Sequence, residues 1–326
     1  MSLADLPKVE LHLHLEGAAP PAFIRGLARE RNVDIEGLFD ERGHYRFNGF
    51  TGFLKAYEAA TTALTSPADH ARLLRAVLEA SAEQGVIYTE LFVSPDLCGG
   101  GDLSAWRDYV AAFTEVAAGM AGDITCRGIV TCIRHLGPER AKRTALCAAE
   151  TMGGFVTGLG LAGDERVGAA KDFAWSFDLG REAGLGLTAH AGEFGGPASV
   201  RETLRDLGVS RIGHGVRAIE DLALVDDLAE RQVVLECCPG ANIALGLYPD
   251  WRRHPVGELF RRGVRVTLST DDPAFFRTGM AREYERLHDA FDWDEGVFRD
   301  MARTALSAAF CDEATRARLM KRLEDA

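Results

Sequence analysis

The chain has 326 residues, 47% of them hydrophobic and 26% charged, enough for a large core of ordinary globular type. Its formal charge of -12 argues against the basic face that grips nucleic-acid phosphates, and its seven scattered cysteines do not form the pattern of a disulfide framework. With no leader-like opening and no apolar run long enough to span a bilayer, a cytoplasmic protein without membrane or nucleic-acid partners is expected.

The first apolar run, 8–14, alternates with period two. Val9, Leu11, Leu13 and Leu15 point one way, and Glu10, His12, His14 and Glu16 the other. Two imidazoles therefore leave one side of one strand, close enough to hold a single metal ion. The interval 17–85 is too long for one crossover helix and is expected to hold extra helices over one end of the fold. Phe50, Phe53 and Tyr57 within it read equally well as a lid or as a buried stripe. Helical periodicity is clear over 69–80 and again over 221–230.

Further short β-rich runs follow at 86–93, 124–134, 154–161, 185–191, 210–214, 232–237 and 264–270. Eight strands alternating with helices predict an α/β fold, a (β/α)₈ TIM barrel with extra helices inserted after strand 1, as one domain over 1–326. A doubly wound open sheet is the alternative, but no G-x-G-x-x-G follows the first strand.

Barrel enzymes carry their chemistry at the C-terminal ends of the strands. Unusual polar residues fall there: His12 and His14 on strand one, Asp164 and Glu165 after strand four, His190 and Glu193 at strand five, His214 at strand six, Asp271 and Asp272 after strand eight. Singly, each reads as an ordinary loop or capping residue. Together they point to a metal site. Three imidazoles and a carboxylate suit Zn²⁺, which brings the pKa of a bound water towards about 7 and makes hydroxide available for hydrolysis.

The motifs Pro7-Lys8-Val9-Glu10-Leu11-His12-Leu13-His14, His190-Ala191-Gly192-Glu193, Gly213-His214-Gly215 and Thr270-Asp271-Asp272-Pro273 closely resemble the adenosine deaminase family of metal-dependent amidohydrolases, in order and spacing. The resemblance implies one Zn²⁺ per subunit held by His12, His14, His190 and Asp271. It also implies Glu193 as the proton shuttle, His214 as the group that stabilises the attacking oxygen, and Asp271 as both ligand and proton acceptor. Asp272 would face purine N7 and the backbone at Gly163 purine N3, with His14 and Glu16 at the substrate. His135 reads as a pocket or supporting residue, and Glu165 and Asp164 as possible helix caps.

The substrate markers divide. Leu15-Glu16-Gly17 has Glu where the nucleoside branch has Asp, and Pro273-Ala274-Phe275-Phe276 leans towards adenine enzymes. Leu161-Ala162-Gly163-Asp164-Glu165 and Gly213-His214-Gly215 look like the nucleoside branch. The expectation drawn from these is hydrolytic deamination of adenosine and 2′-deoxyadenosine to the inosine product and ammonia, with adenine or another 6-aminopurine nucleoside as the alternative. The partner is thus a small purine nucleoside or base, and the oligomeric state stays open.

Overall fold

The computed structural model describes residue 3 and residues 5–326. Eight parallel strands form one sheet in sequence order: β1 (Lys8–His14), β2 (Val86–Val93), β3 (Thr125–Ile133), β4 (Val156–Ala162), β5 (Gly186–Ala191), β6 (Arg211–His214), β7 (Val234–Cys237) and β8 (Arg265–Leu268). The barrel closes between β1 and the turn after β8. There the His14 N–H donates to the Asp271 carbonyl (2.9 Å) and the Asp271 N–H to the His12 carbonyl (3.1 Å). The predicted (β/α)₈ barrel is the observed one.

The strands form where their composition demands burial on both faces. β2, Val-Ile-Tyr-Thr-Glu-Leu-Phe-Val, is buried throughout, as expected for a strand between a filled barrel interior and a covering helix layer. The long first interval holds three helices, α1 (Pro21–Arg31), α2 (Gly49–Thr61) and α3 (Pro67–Glu83). α3 starts sharply because Ser66 accepts the Asp69 N–H and Pro67 occupies the first turn.

Beyond β8, helices at Glu295–Ala308 and Glu313–Glu324 pack back on the barrel. Leu306, Leu319 and Leu323 form a separate apolar cluster with Val9, Leu11 and Ile87 of β1 and β2. Phe310, just past the first of these helices, lies against Gly158 and Gly186 and fills the N-terminal end of the barrel. Above it, fully buried Arg211 binds Glu90 and Glu236, each at 2.6 Å. No helix among the described residues is long and apolar enough to cross a membrane.

Candidate metal centre and active site

β1 delivers His12 and His14, β5 His190, β6 His214, and the turn after β8 Asp271 and Asp272. His12 Nε2 lies 3.0 Å from His190 Nε2, and His14 Nε2 lies 3.3 Å from the same atom. Asp271 Oδ1 lies 3.4 Å from His12 Nε2 and 3.3 Å from His14 Nε2. Four donors bound at about 2.0–2.1 Å around a tetrahedral ion would stand about 3.4 Å apart, so the spacing is that of a metal centre.

The proton positions make the same point. His12 Nδ1 bonds the Glu236 carboxylate at 2.7 Å and His190 Nδ1 bonds the Leu161 carbonyl at 2.9 Å. Both partners only accept, so each Nδ1 carries a proton, and in the neutral ring Nε2 is the atom that presents a lone pair to the centre. Two such buried nitrogens 3.0 Å apart need a positive charge between them, either a shared proton, since against the lowering effect of burial Asp271 and Glu236 lift the His12 pKa to about 9, or a metal ion. The donor set therefore fits a divalent metal. His214 also stands close, its Nε2 forming a compact group with donors of His12, His190 and Asp271. Its Nε2 lies 3.9 Å from the nearer Asp271 oxygen, against 3.3 Å for His14.

Both His214 and Asp271 have left-handed backbones, φ 60° and 65°. Non-glycine residues hold that conformation at a cost of roughly 1–3 kcal/mol, which the closed barrel imposes where the side chains must turn inward.

Beside the donors opens a cavity of about 300 Å³ lined by, among others, Glu16, Tyr57, Gly163, Glu193 and Asp272. Burial raises the Glu193 carboxyl well above its ordinary range, with the Asp271, Glu165 and Asp164 charges adding to the effect. Asp272 is likewise pushed well up, by burial first and then by Asp271, Glu193 and Glu16. Both carboxyl groups facing the cavity are thus biased towards the protonated form, in which each can donate. Gly163 has φ +95°, and a Cβ there would lie 2.8 Å from His135 Nδ1, so only glycine lets this backbone meet the cavity wall.

All nine site residues expected from the sequence gather at this one mouth. The capping expectation for Glu165 fails. Its carboxylate instead accepts the backbone N–H groups of Gly192 (2.6 Å), Glu193 (3.0 Å), Phe194 (2.8 Å) and Gly195 (2.8 Å), together with the Ser199 hydroxyl. Burial works to raise its pKa, yet these donors hold it below the ordinary value. Asp164 pairs with Arg166 instead of capping a helix. His135 does both jobs considered for it: it lines the cavity and accepts the Asp164 N–H at 3.3 Å. Phe50, Phe53 and Tyr57 also combine the two readings, lining the cavity while packing on one another.

Glu165→Ala would strand several buried N–H groups in the loop carrying Glu193. Each such donor costs about 1–3 kcal/mol, partly recovered by water, so a net loss of about 2–3 kcal/mol is expected in urea unfolding. A loss below about 0.5 kcal/mol, within the range of ordinary surface changes, would show that the loop holds itself.

Several contacts at the site carried no reading from the sequence. Tyr57 donates its hydroxyl to Glu16 Oε2 at 2.9 Å, and buried His70 Nε2 faces Glu16 Oε1 at 3.8 Å, with neither of those two atoms hydrogen-bonded. Glu236 had a signal: a lone carboxylate inside the apolar run Val233-Val234-Leu235-Glu236-Cys237 needs a buried partner, and here it has His12 and Arg211.

The adenosine deaminase family profile matches residues 7–326. The chain belongs to the adenosine deaminase family. Among curated members, it is 47% identical to an adenine deaminase of Agrobacterium fabrum, over 99% of both chains. It is also 47% identical to an adenine deaminase of Sinorhizobium medicae, over 98% of this chain and 99% of the other. Among solved structures, the adenine deaminase of Arthrobacter aurescens superposes with a TM-score of 0.89 at 27% identity, covering 98% of each chain. A zinc-bound amidohydrolase of Burkholderia ambifaria superposes with a TM-score of 0.86 at 26% identity, over 99% of this chain and 93% of the other.

Proposed function

We propose that this protein hydrolyses a 6-aminopurine at C6, releasing ammonia, and that its substrate is the free base adenine, which becomes hypoxanthine. This reverses the preference for adenosine drawn from the Gly163 and His214 motifs. The observation that carries the reversal is Glu16. Its buried carboxyl group is tied to Tyr57 at the edge of a cavity of about 300 Å³, the lower end of the range for small-molecule pockets. A free base has a ring N–H where a nucleoside carries its sugar, and a buried acceptor matched to that N–H would be left unpaired by the nucleoside. The relatives named adenine deaminase favour the same choice.

His12, His14, His190 and Asp271 would hold the ion, with Zn²⁺ the best match to three imidazoles and a carboxylate and also the metal of the Burkholderia relative. When bound, it would act as a Lewis acid and bring a water's pKa towards about 7. The protein's own groups do the rest. Protonated Glu193 delivers its proton to N1 as oxygen adds to C6, and Asp272 presents its proton to N7. Asp271 takes the proton lost by the water, His214 contacts the new C6 oxygen, and the backbone at Gly163 meets N3. Return of a proton to the exocyclic nitrogen completes the loss of ammonia, so one water is consumed for each ammonia formed.

The deciding experiment compares kcat/KM for adenine, adenosine and 2′-deoxyadenosine on metal-loaded protein. Adenine is expected to lead by at least about tenfold, equivalent to about 1.4 kcal/mol of transition-state binding. Adenosine leading would reinstate the nucleoside reading, and no turnover of any of the three would end the deaminase reading altogether.

A further inference from the structure

His12 and His190 present lone pairs to the centre, whereas His214 is held from behind by a different kind of partner. Asn242, on the short helix Pro239–Ala244 after β7, places its amide nitrogen 3.4 Å from His214 Nδ1. Its amide oxygen lies 3.1 Å from Nε2 of His254, and the backbone N–H of Val256 reaches His254 Nδ1 at 3.2 Å. Asn242 is wholly enclosed, and His214 and His254 are 1% and 2% exposed, so water does not compete for these positions.

The backbone fixes the direction of the whole chain. A peptide N–H only donates, so His254 Nδ1 must accept. Burial, and next the nearby His214, holds the His254 pKa down to about 3, so its ring has a single proton, and that proton is on Nε2. His254 therefore donates to the Asn242 oxygen. The amide then has only its NH₂ to offer His214 Nδ1, which accepts. The remaining proton of neutral His214 is left on Nε2, 3.8 Å from Glu193 Oε2 and 3.9 Å from Asp271 Oδ2.

We propose that Val256, His254 and Asn242 form a relay of positioning groups that locks His214 as the Nε2–H tautomer, making it a hydrogen-bond donor to the reacting oxygen and not a fifth ligand. The relay separates two roles that distance alone leaves mixed, since His214 stands among the metal donors but offers a proton where His12 and His190 offer electron pairs. The catalytic consequence rests on the deaminase reading above. The tautomer itself does not.

The test is ¹⁵N NMR of imidazole-labelled protein, metal-free and zinc-loaded, beside steady-state kinetics with adenine. Wild-type His214 is expected to show a protonated Nε2 and a bare Nδ1. Asn242→Asp is nearly isosteric, but its carboxylate can only accept, so the His214 proton is expected to move to Nδ1. kcat should then fall at least about tenfold with KM little changed and one zinc still bound, the pattern of a lost transition-state contact. His254→Gln, whose amide can still donate to Asn242, is expected to keep the wild-type tautomer and most of kcat. A wild-type His214 protonated on Nδ1, or an Asn242→Asp protein with the proton still on Nε2, would overturn the relay. A moved proton with unchanged kcat would uphold the relay and instead remove His214 from the catalytic role.

Discussion

Glu193→Gln is expected to lower kcat for adenine about 10²–10⁴-fold while the protein keeps its metal, because the substitution removes a proton donor and leaves the shape of the site intact. Glu193 stands 3.8 Å from His214 and is not one of the four proposed ligands, so its replacement should leave them in place. The pH dependence has a definite sign. An acid works only while protonated, and burial raises this carboxyl well above its ordinary range, with Asp271 next in effect. The wild-type rate should therefore hold through mildly acidic pH and fall as pH rises through that raised value. The residual rate of Glu193→Gln should lack that fall. A rate within threefold of wild type, taken as about 0.65 kcal/mol, would remove Glu193 from proton transfer.

The second large effect concerns stability. Arg211→Met is expected to cost about 3–5 kcal/mol, because it leaves the carboxylates of Glu90 and Glu236 buried without their shared cation. The guanidinium also donates to the Ala308 carbonyl at 2.9 Å and lies 3.6 Å above the Phe310 ring, so it holds the end of a C-terminal helix against the barrel. Glu236 connects this base to the metal centre through its 2.7 Å bond to His12. The same substitution should accordingly weaken metal binding about 10–100-fold, the usual effect of disturbing a ligand's supporting partner. Burial works to raise the Glu236 pKa, but Arg211 and then His12 bring it below its ordinary value. Its contribution to stability is thus present above the ordinary carboxylate range and lost as pH falls through the lowered value. Urea unfolding of Arg211→Met and of the double variant with Glu90→Gln measures the pairing. A loss under about 1 kcal/mol would show that water fills the gap.

The architecture was legible wherever the chain's periodicity was strong. β1 and β2 begin and end where their apolar runs do. β7 and β8 are shorter than the runs that announced them, since Val233 and Val264 are buried without joining the strand ladder and burial alone does not require pairing. The left-handed backbone at Asp271 likewise ends regular structure early at β8. The helices after β8 escaped notice because their apolar faces point to residues some 300 positions earlier, Val9 and Leu11 among them.

At the site, residues with distinctive chemistry could be read from the sequence and their supports could not. The partners of Glu165 are backbone amides, which leave no trace in residue identity. Tyr57 reaches Glu16 across a separation of 41 residues, and Asn242 meets His214 across 28. Such contacts are set by the closure of the barrel and not by any local pattern. The substrate was the hardest part, because it depends on where the Glu16 carboxyl comes to rest.

The seam between β1 and the turn after β8 has a consequence for how the protein matures. His12 and His14 are made first, yet Asp271 joins them only when the last strand docks, across a sequence separation of 258 residues at the neighbouring Leu11–Ser269 bond. A nascent chain short of that strand holds its early histidines on an open edge with no complete ligand set to offer. The full ligand set thus exists only once the barrel has closed, and an ion held at the seam would favour finished barrels over partly folded ones.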